Sequence, residues 1–165
     1  MFDTTALRAA YDALLAAAVT VADTATAPPP GEWNADQILA HVTLVDATTI
    51  GVVAAVTAGS HTVYDTRLTL DPWTIDRAIT LAGGSAGLRA RISGQADAMC
   101  ALVGSSLSET ELDIPVSTRL LSGTTLLLDR PVPLRDIITG LTEVELPGHT
   151  KQLMALLAEP VVVTA

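Results

Sequence analysis

Apolar residues recur at three- and four-residue steps in four long segments of the chain, which is the spacing of an amphipathic helix. In the first segment this stripe includes Leu7, Tyr11 and Leu14. A shorter helix is predicted over residues 74–82, between two turn-rich stretches. The four long helices are predicted over residues 3–25, 34–58, 85–107 and 134–158.

The second long helix has the strongest start signal in the sequence. Asn34 is a favourable N-cap residue, and Gln37 stands three positions later, as in a capping box. Trp33 and Ile38 flank this cap at the positions of a hydrophobic staple. Gly59 suits the position after the helix end, because glycine readily adopts a positive φ angle. The pattern therefore predicts a well-capped helix over this segment.

An extended excursion is predicted before the last helix. Residues 116–121 and 124–128 are rich in Val, Thr and Leu, and the Ser122-Gly123 pair between them is a turn signal. We therefore expect an all-α fold, namely a four-helix bundle with long crossover connections and a small β-hairpin or extended excursion between helices 3 and 4. Residues 1–165 are expected to form a single domain.

Charge and composition narrow the choice of partners and compartment. The chain carries 18 acidic and nine basic residues, a formal net charge of −9, so it has no basic cluster to neutralise nucleic-acid phosphates or an anionic membrane surface. The single cysteine, Cys100, permits no internal disulfide. Mean hydropathy is high at +0.44, but the longest uncharged stretch, 47–64, is rich in Thr, Gly and Ser and makes a poor bilayer span. We expect a cytoplasmic protein that binds neither nucleic acid nor a membrane.

Three ionisable residues interrupt apolar helix faces. His41 lies on the face of the second helix that should pack in the core, and Glu145 and His149 stand four residues apart on the last helix. Buried ionisable groups are costly unless they are paired or bind a metal, and bundle cores are a recurrent place for metal sites. Two neutral imidazoles and one carboxylate would leave a divalent ion with one net positive charge. Zinc held by three protein ligands can activate a water molecule or a thiolate.

Two simpler interpretations use the same residues. His41 can be a hydrogen-bonded core residue that binds nothing. Glu145 and His149 can form an i,i+4 pair at a helix surface, worth a few tenths of a kcal/mol. The spacing leaves these interpretations open beside the metal triad, and the donor set also suits nickel, iron or manganese.

Two sequence motifs carry a family resemblance. Residues 31–42 (GEWNADQILAHV) resemble the second-helix signature of the DinB-like superfamily, and residues 145–153 (ELPGHTKQL) resemble its C-terminal motif. The chain is most similar to the metal-binding N-terminal domain of mycothiol-dependent maleylpyruvate isomerases. The resemblance implies metal ligands at His41, Glu145 and His149, and zinc is the expected ion for such a three-ligand site. It also implies mycothiol as a cosubstrate, a thiol-dependent transferase or isomerase activity on a small molecule, and a homodimer.

Pro147 and Gly148 interrupt the regular helix between two of these ligands. Pro147 cannot donate a hydrogen bond to the carbonyl of Glu143, so we expect a kink or a local bulge. If the bulge separates Glu145 from His149, the metal site is degenerate and the protein is a non-catalytic small-molecule-binding bundle. If the two side chains still converge, the kink helps to shape the pocket.

The remaining candidates have structural explanations. Cys100 has apolar neighbours and is expected to be an inert packed thiol. Trp73 is interpreted as a structural anchor that could also line a pocket, and His61 as a loop residue outside the site. Arg89 and Arg91 are expected to be solvated, with the grip of an anionic substrate as the alternative. The strand edge at 124–128 offers a surface for the expected homodimer.

Overall fold

The structure, a computed structural model, describes residues 2–22 and 28–157. Helices alternate with short connections in the first two thirds of the chain, and a strand pair precedes the C-terminal helical segment. The helices are α1 (Thr5–Ala22), α2 (Ala35–Thr57), α3 (Pro72–Ala82), α4 (Ser85–Ala101), α5 (Glu109–Leu112), α6 (Leu134–Gly140) and α7 (Leu146–Ala155). The strands are β1 (Val63–Asp65), β2 (Pro115–Ser122) and β3 (Thr125–Pro133).

The predicted helical segments are confirmed where the structure describes them. The ends predicted at residues 23–25 and 158 lie outside the described residues. α3 begins two residues before its predicted start, because Asp71 accepts a hydrogen bond from the backbone N–H of Thr74 and caps the helix. The helix predicted over 85–107 changes after Ala101 into a π-helical turn, Leu102–Ser106.

The predicted capping box at the start of α2 is confirmed. The Asn34 side chain accepts from the Gln37 N–H at 2.9 Å, and the Gln37 side chain accepts from the Asn34 N–H at 3.0 Å. At the other end, Gly59 has a φ angle of +71°, as expected for the residue that follows the helix. Both ends of α2 are therefore set by local sequence.

Helix α2 runs through the middle of the core. It packs against α4, α3 and α7, while α1 packs against α7 and α4. Buried residues lie on several faces of α2 instead of one stripe, so four of its polar residues are also buried: His41, Thr43, Asp46 and Thr49. The interior around it is aliphatic, and its largest fully buried side chains include Tyr11, Leu39, Leu88, Ile92 and Ile138.

The prediction of an all-α four-helix bundle is wrong. β1, β2 and β3 form a three-stranded mixed sheet in that order, with β1 parallel to β2 and β2 antiparallel to β3. The predicted β2–β3 hairpin is present, and β3 extends beyond its predicted end to Pro133. No pattern in the sequence predicts β1, because a three-residue strand is too short to show a period and pairs with residues far along the chain, such as Val63 with Ser117.

Two helices combine length with high hydropathy. By length and composition alone α1 and α2 are able to cross a bilayer, and 33% and 61% of their most apolar windows are buried inside the protein. Core helices of soluble proteins pass the same test, and both α1 and α2 contribute to the core described above. The cytoplasmic location stays a prediction.

Candidate metal centre

The three side chains singled out in the sequence meet between α2 and the C-terminal helical segment. His41 is on the second turn of α2 and is 5% exposed. Glu145 is the last residue of a π-helical turn, Leu141–Glu145, and His149 lies one turn into α7. The Glu145 and His149 side chains are 30% and 15% exposed, so the group is reachable from one side.

Both imidazoles contact the same carboxylate oxygen. Nε2 of His41 lies 3.0 Å from Oε1 of Glu145, and Nε2 of His149 lies 3.1 Å from that oxygen. The two rings are close to each other, with centroids 4.8 Å apart and an edge-to-face arrangement. Three potential ligand atoms from two separate parts of the chain therefore converge, all within 4.8 Å of one another.

The second nitrogen of each ring faces a carbonyl-type oxygen. Nδ1 of His41 lies 2.8 Å from the backbone carbonyl of Thr69, and Nδ1 of His149 lies 2.9 Å from Oε1 of Gln152. Such oxygens only accept hydrogen bonds, so each Nδ1 carries the proton and donates it. In a neutral ring, Nε2 then carries a lone pair that points at Glu145. This tautomer, protonated on Nδ1, is the one that a metal-ligating histidine needs.

The backbone before Pro147 adopts the bulge that the proline predicts. The N–H of Leu146 donates to the carbonyl of Leu141, five residues back, which widens the helix by one residue per turn. The missing N–H of Pro147 falls at the start of α7, where a regular helix tolerates proline. The bulge does not separate the ligands, because Glu145 and His149 remain within hydrogen-bond distance.

Electrostatics in the group favour a charged carboxylate. Burial raises the pKa of Glu145, but hydrogen bonds from His149 and His41 outweigh it and bring the pKa down to about 2. Burial lowers the pKa of His149, while its hydrogen bond and its charge interaction with Glu145 outweigh that effect and raise it. A contact between a carboxylate oxygen and a ring nitrogen requires a proton or a cation between the two atoms. A carboxylate oxygen and an unprotonated ring nitrogen are both hydrogen-bond acceptors and would otherwise repel each other.

The donor set fits a divalent metal ion. Tetrahedral ligands at about 2.0–2.2 Å from one zinc ion stand roughly 3.3–3.6 Å from each other. The two separations between the ring nitrogens and the carboxylate oxygen, 3.0 and 3.1 Å, are close to that range, and all three ligand atoms lie within 4.8 Å of one another. The Nδ1 donors from the rings to Thr69 and Gln152 supply the outer hydrogen bonds that hold such ligands in place. The His41, Glu145 and His149 group can therefore hold a metal ion.

A cavity of about 650 Å³ opens above the three ligands. One wall comes from α2 and the preceding turn, where the Trp33 ring lies 5.1 Å from the His41 ring, centroid to centroid. The opposite wall comes from the tip of the β2–β3 hairpin, residues 120–123 and Leu127. The hairpin thus helps to enclose the site, and the size of the cavity suits a small organic molecule.

A second buried carboxylate lies deeper along α2. Asp46 is fully buried, and its Oδ1 accepts a hydrogen bond from the Tyr11 hydroxyl at 2.7 Å. Among the described residues, Oδ2 has no hydrogen-bond partner. Burial raises the pKa of Asp46 to about 7, with the charge of Glu145 adding to the rise and the Tyr11 hydrogen bond opposing it. Asp46 is not one of the three potential metal ligands.

The other sequence candidates lie away from the ligands. His61 is exposed in the loop after α2, and Trp73 is 73% exposed and does not line the cavity. Arg89 donates to the Ser85 hydroxyl, and Arg91 donates to the Leu81 carbonyl. Cys100 is half-buried, and burial raises the pKa of its thiol, which makes it less reactive.

Three functional neighbours were not singled out in the sequence. Gln152 shares the helix face of Glu145 and His149, so its three-residue spacing from His149 was an available signal. Asp46 was visible as an acidic residue in the apolar middle of the second helix. Thr69 acts through its backbone carbonyl, and no pattern of side chains in the sequence predicts such a contact.

Comparison with known proteins assigns the chain to no family. No protein-family model, curated protein or solved structure matches it. The resemblance to the DinB-like superfamily therefore rests on the two short sequence motifs alone, and the functional argument rests on the geometry of the His41, Glu145 and His149 group.

Proposed function

We propose that this protein binds a divalent metal ion, zinc first among the candidates, through His41, Glu145 and His149. The observation that carries the proposal is the convergence of two Nε2 atoms on one carboxylate oxygen, with both Nδ1 atoms turned outward onto carbonyl oxygens. An ordinary core histidine or a surface i,i+4 pair does not require this double arrangement. Nickel, iron and manganese suit the same donors.

We further propose that the site serves thiol-dependent chemistry on a small molecule, as a transferase or an isomerase with mycothiol as the cosubstrate. A metal ion with three protein ligands keeps an open position, and its charge favours a thiolate or an activated water there. The chain's own residues would orient that ion: Thr69 and Gln152 fix the rings, and Glu145 supplies the negative charge. The cavity of about 650 Å³ provides room for the substrate beside them.

Metal titration tests the first part of the proposal. Protein produced without a His-tag and dialysed against a chelator is titrated with Zn²⁺ in competition with a chromophoric chelator. Wild type should bind one ion, and Glu145→Gln should bind it at least about 100-fold more weakly, since outer-shell changes alone cost 10–100-fold. His61→Ala is the matched control, because it removes an exposed histidine outside the group. Wild-type affinity in Glu145→Gln would refute the site.

Thiol addition tests the second part. Mycothiol added to the Co²⁺-loaded protein should change the visible absorption spectrum of the ion, and the change should be absent in Glu145→Gln. An unchanged spectrum in wild type would remove the thiol-dependent activity and leave metal binding intact.

A second candidate function is non-catalytic binding of an apolar small molecule. The apolar side chains that the hairpin tip contributes to the cavity, Leu120, Leu121 and Leu127, favour it. Apolar ligands would then raise the melting temperature equally with and without a chelator, whereas the metal-dependent function requires the chelator to abolish the effect.

A further inference from the structure

The cavity at the proposed metal site is lined by acidic groups and by no Lys or Arg side chain. Its charged lining consists of Glu145 among the ligands and Glu32 beside Trp33. Glu32 is exposed, so it faces both the cavity and solvent. The rest of the lining is largely aliphatic or aromatic, with a few neutral polar side chains such as Gln152 and Ser122.

All nine Lys and Arg residues fall within 2–22 and 28–157, and none of them lines this cavity. Four of the arginines are held by carboxylates elsewhere on the surface. Their pairs are Arg8 with Asp97, Arg67 with Asp65, Arg119 with Asp129, and Arg135 with Asp113 and Glu109. An anionic group inside the cavity would therefore meet no cationic side chain, apart from the ligand histidines.

The net charge of the metal-loaded site determines how many negative charges a bound ligand can carry. Two neutral imidazoles, one carboxylate and a divalent ion sum to one positive charge, which a single anionic donor atom neutralises. A second anionic group on the same ligand would lie among leucine side chains and near Glu32, where it loses hydration without gaining a cationic partner.

We infer that a ligand of this cavity offers the metal one anionic donor and carries no other negative charge. Dicarboxylates and other dianions should bind more weakly than their monoanionic counterparts. The inference rests on the proposed metal site and narrows its substrate class, because it disfavours the dianionic substrates that an isomerase of dicarboxylic acids would need.

A pair of matched thiols tests this inference on the Co²⁺-loaded protein. 4-Mercaptobenzamide and 4-mercaptobenzoate have the same ring and donor, and they differ by one remote negative charge. Their affinities are measured from the change in Co²⁺ absorption on titration. The amide should bind about tenfold more tightly, the size expected for one repulsive charge several ångströms away in a partly hydrated site. Equal affinities, or tighter binding of the carboxylate, would overturn the inference.

Charge variants at the cavity mouth make the test sharper. Glu32→Lys places a cation beside the cavity on an exposed turn, and it should reduce the preference for the amide to less than about threefold. Asp76→Lys makes the same change in net charge on the exposed face of α3, outside the cavity, and should keep the wild-type preference. An equal response of the two variants would contradict a local charge effect.

The two proposals fail in different ways. A Co²⁺ titration that shows no binding overturns the metal site and the inference together. Co²⁺ binding without thiol binding, or with no preference between the two thiols, overturns the inference and leaves the metal site standing.

Discussion

Glu145, which is half-buried, and Asp46, which is fully buried, are two carboxylates of one core, and their surroundings shift their pKa values in opposite directions. Glu145 contacts two imidazoles, and its pKa falls to about 2. Asp46 has one phenol partner, Tyr11, and burial raises its pKa to about 7. Burial is common to both, so burial alone does not identify a metal ligand. The number and type of groups that face the carboxylate make the difference.

The largest expected effect is the difference between the two carboxylates in how much zinc raises the free energy of unfolding. Zn²⁺ at a free concentration about 1,000 times its dissociation constant should raise the free energy of unfolding by about 4 kcal/mol in wild type. The same increase is expected in Asp46→Asn, because Asp46 is not among the ligands. Glu145→Gln should show an increase of at most about 1.4 kcal/mol, since its zinc affinity is expected to be at least about 100-fold lower. Urea denaturation with and without Zn²⁺ measures this, and stabilisation of Glu145→Gln equal to that of wild type would break the comparison.

The next effect concerns the pH dependence of the metal-free protein. The pKa of Asp46 is about 7 in the folded state against 3.8 in the unfolded chain. Between these values the folded state holds a proton that the unfolded state has released, so the contribution of Asp46 to stability falls as pH rises. The fall should reach about 2–4 kcal/mol, since one unit of pKa difference is worth about 1.4 kcal/mol.

Asp46→Asn isolates this contribution. Both proteins retain His149, whose raised pKa also makes stability fall as pH increases, so the difference between their denaturation curves at pH 5 and pH 8 reports Asp46 alone. The variant should lose less stability than wild type over this interval. Parallel pH profiles would show that Asp46 is ionised in the folded protein.

A smaller loss of zinc affinity is expected when the hydrogen bond between His149 Nδ1 and Gln152 is removed. Gln152→Leu removes the acceptor of the Nδ1 proton while keeping a side chain of similar size. Zinc affinity should fall by about 10–100-fold, as is typical when an outer-shell partner of a ligand is lost. Gln95→Leu is the control, because Gln95 bonds the Thr43 carbonyl away from the site. An equal loss in both variants would indicate general destabilisation.

The smallest change in zinc affinity is expected for Pro147→Ala. The π-helical turn is closed by the bond from the Leu146 N–H to the Leu141 carbonyl, which Pro147→Ala leaves in place. Zinc affinity should therefore stay within about threefold of wild type, well below the loss caused by an outer-shell change. A loss as large as that of Gln152→Leu would show that the proline itself orients Glu145.

Much of the helical pattern and the identity of the ligands were accessible from sequence. Local signals, such as the Asn34–Gln37 capping box, predicted where α2 begins, because capping depends on atoms within three residues. The polar interruptions at His41, Glu145 and His149 marked the site, since an ionisable residue on an apolar face needs a partner. The all-α fold was wrong because β1 pairs in parallel with a strand more than 50 residues away.

The sequence by itself determined the helix starts, the excess of acid over base and the residue types that interrupt the core. Only the tertiary structure decided that His41 and Glu145, 104 residues apart, meet at 3.0 Å, and that the hairpin tip walls the cavity. It also decided that the pKa of Glu145 is lowered whereas the pKa of Asp46 is raised. Propensities and caps act over a few residues, whereas distances and desolvation between distant segments depend on how the whole core packs.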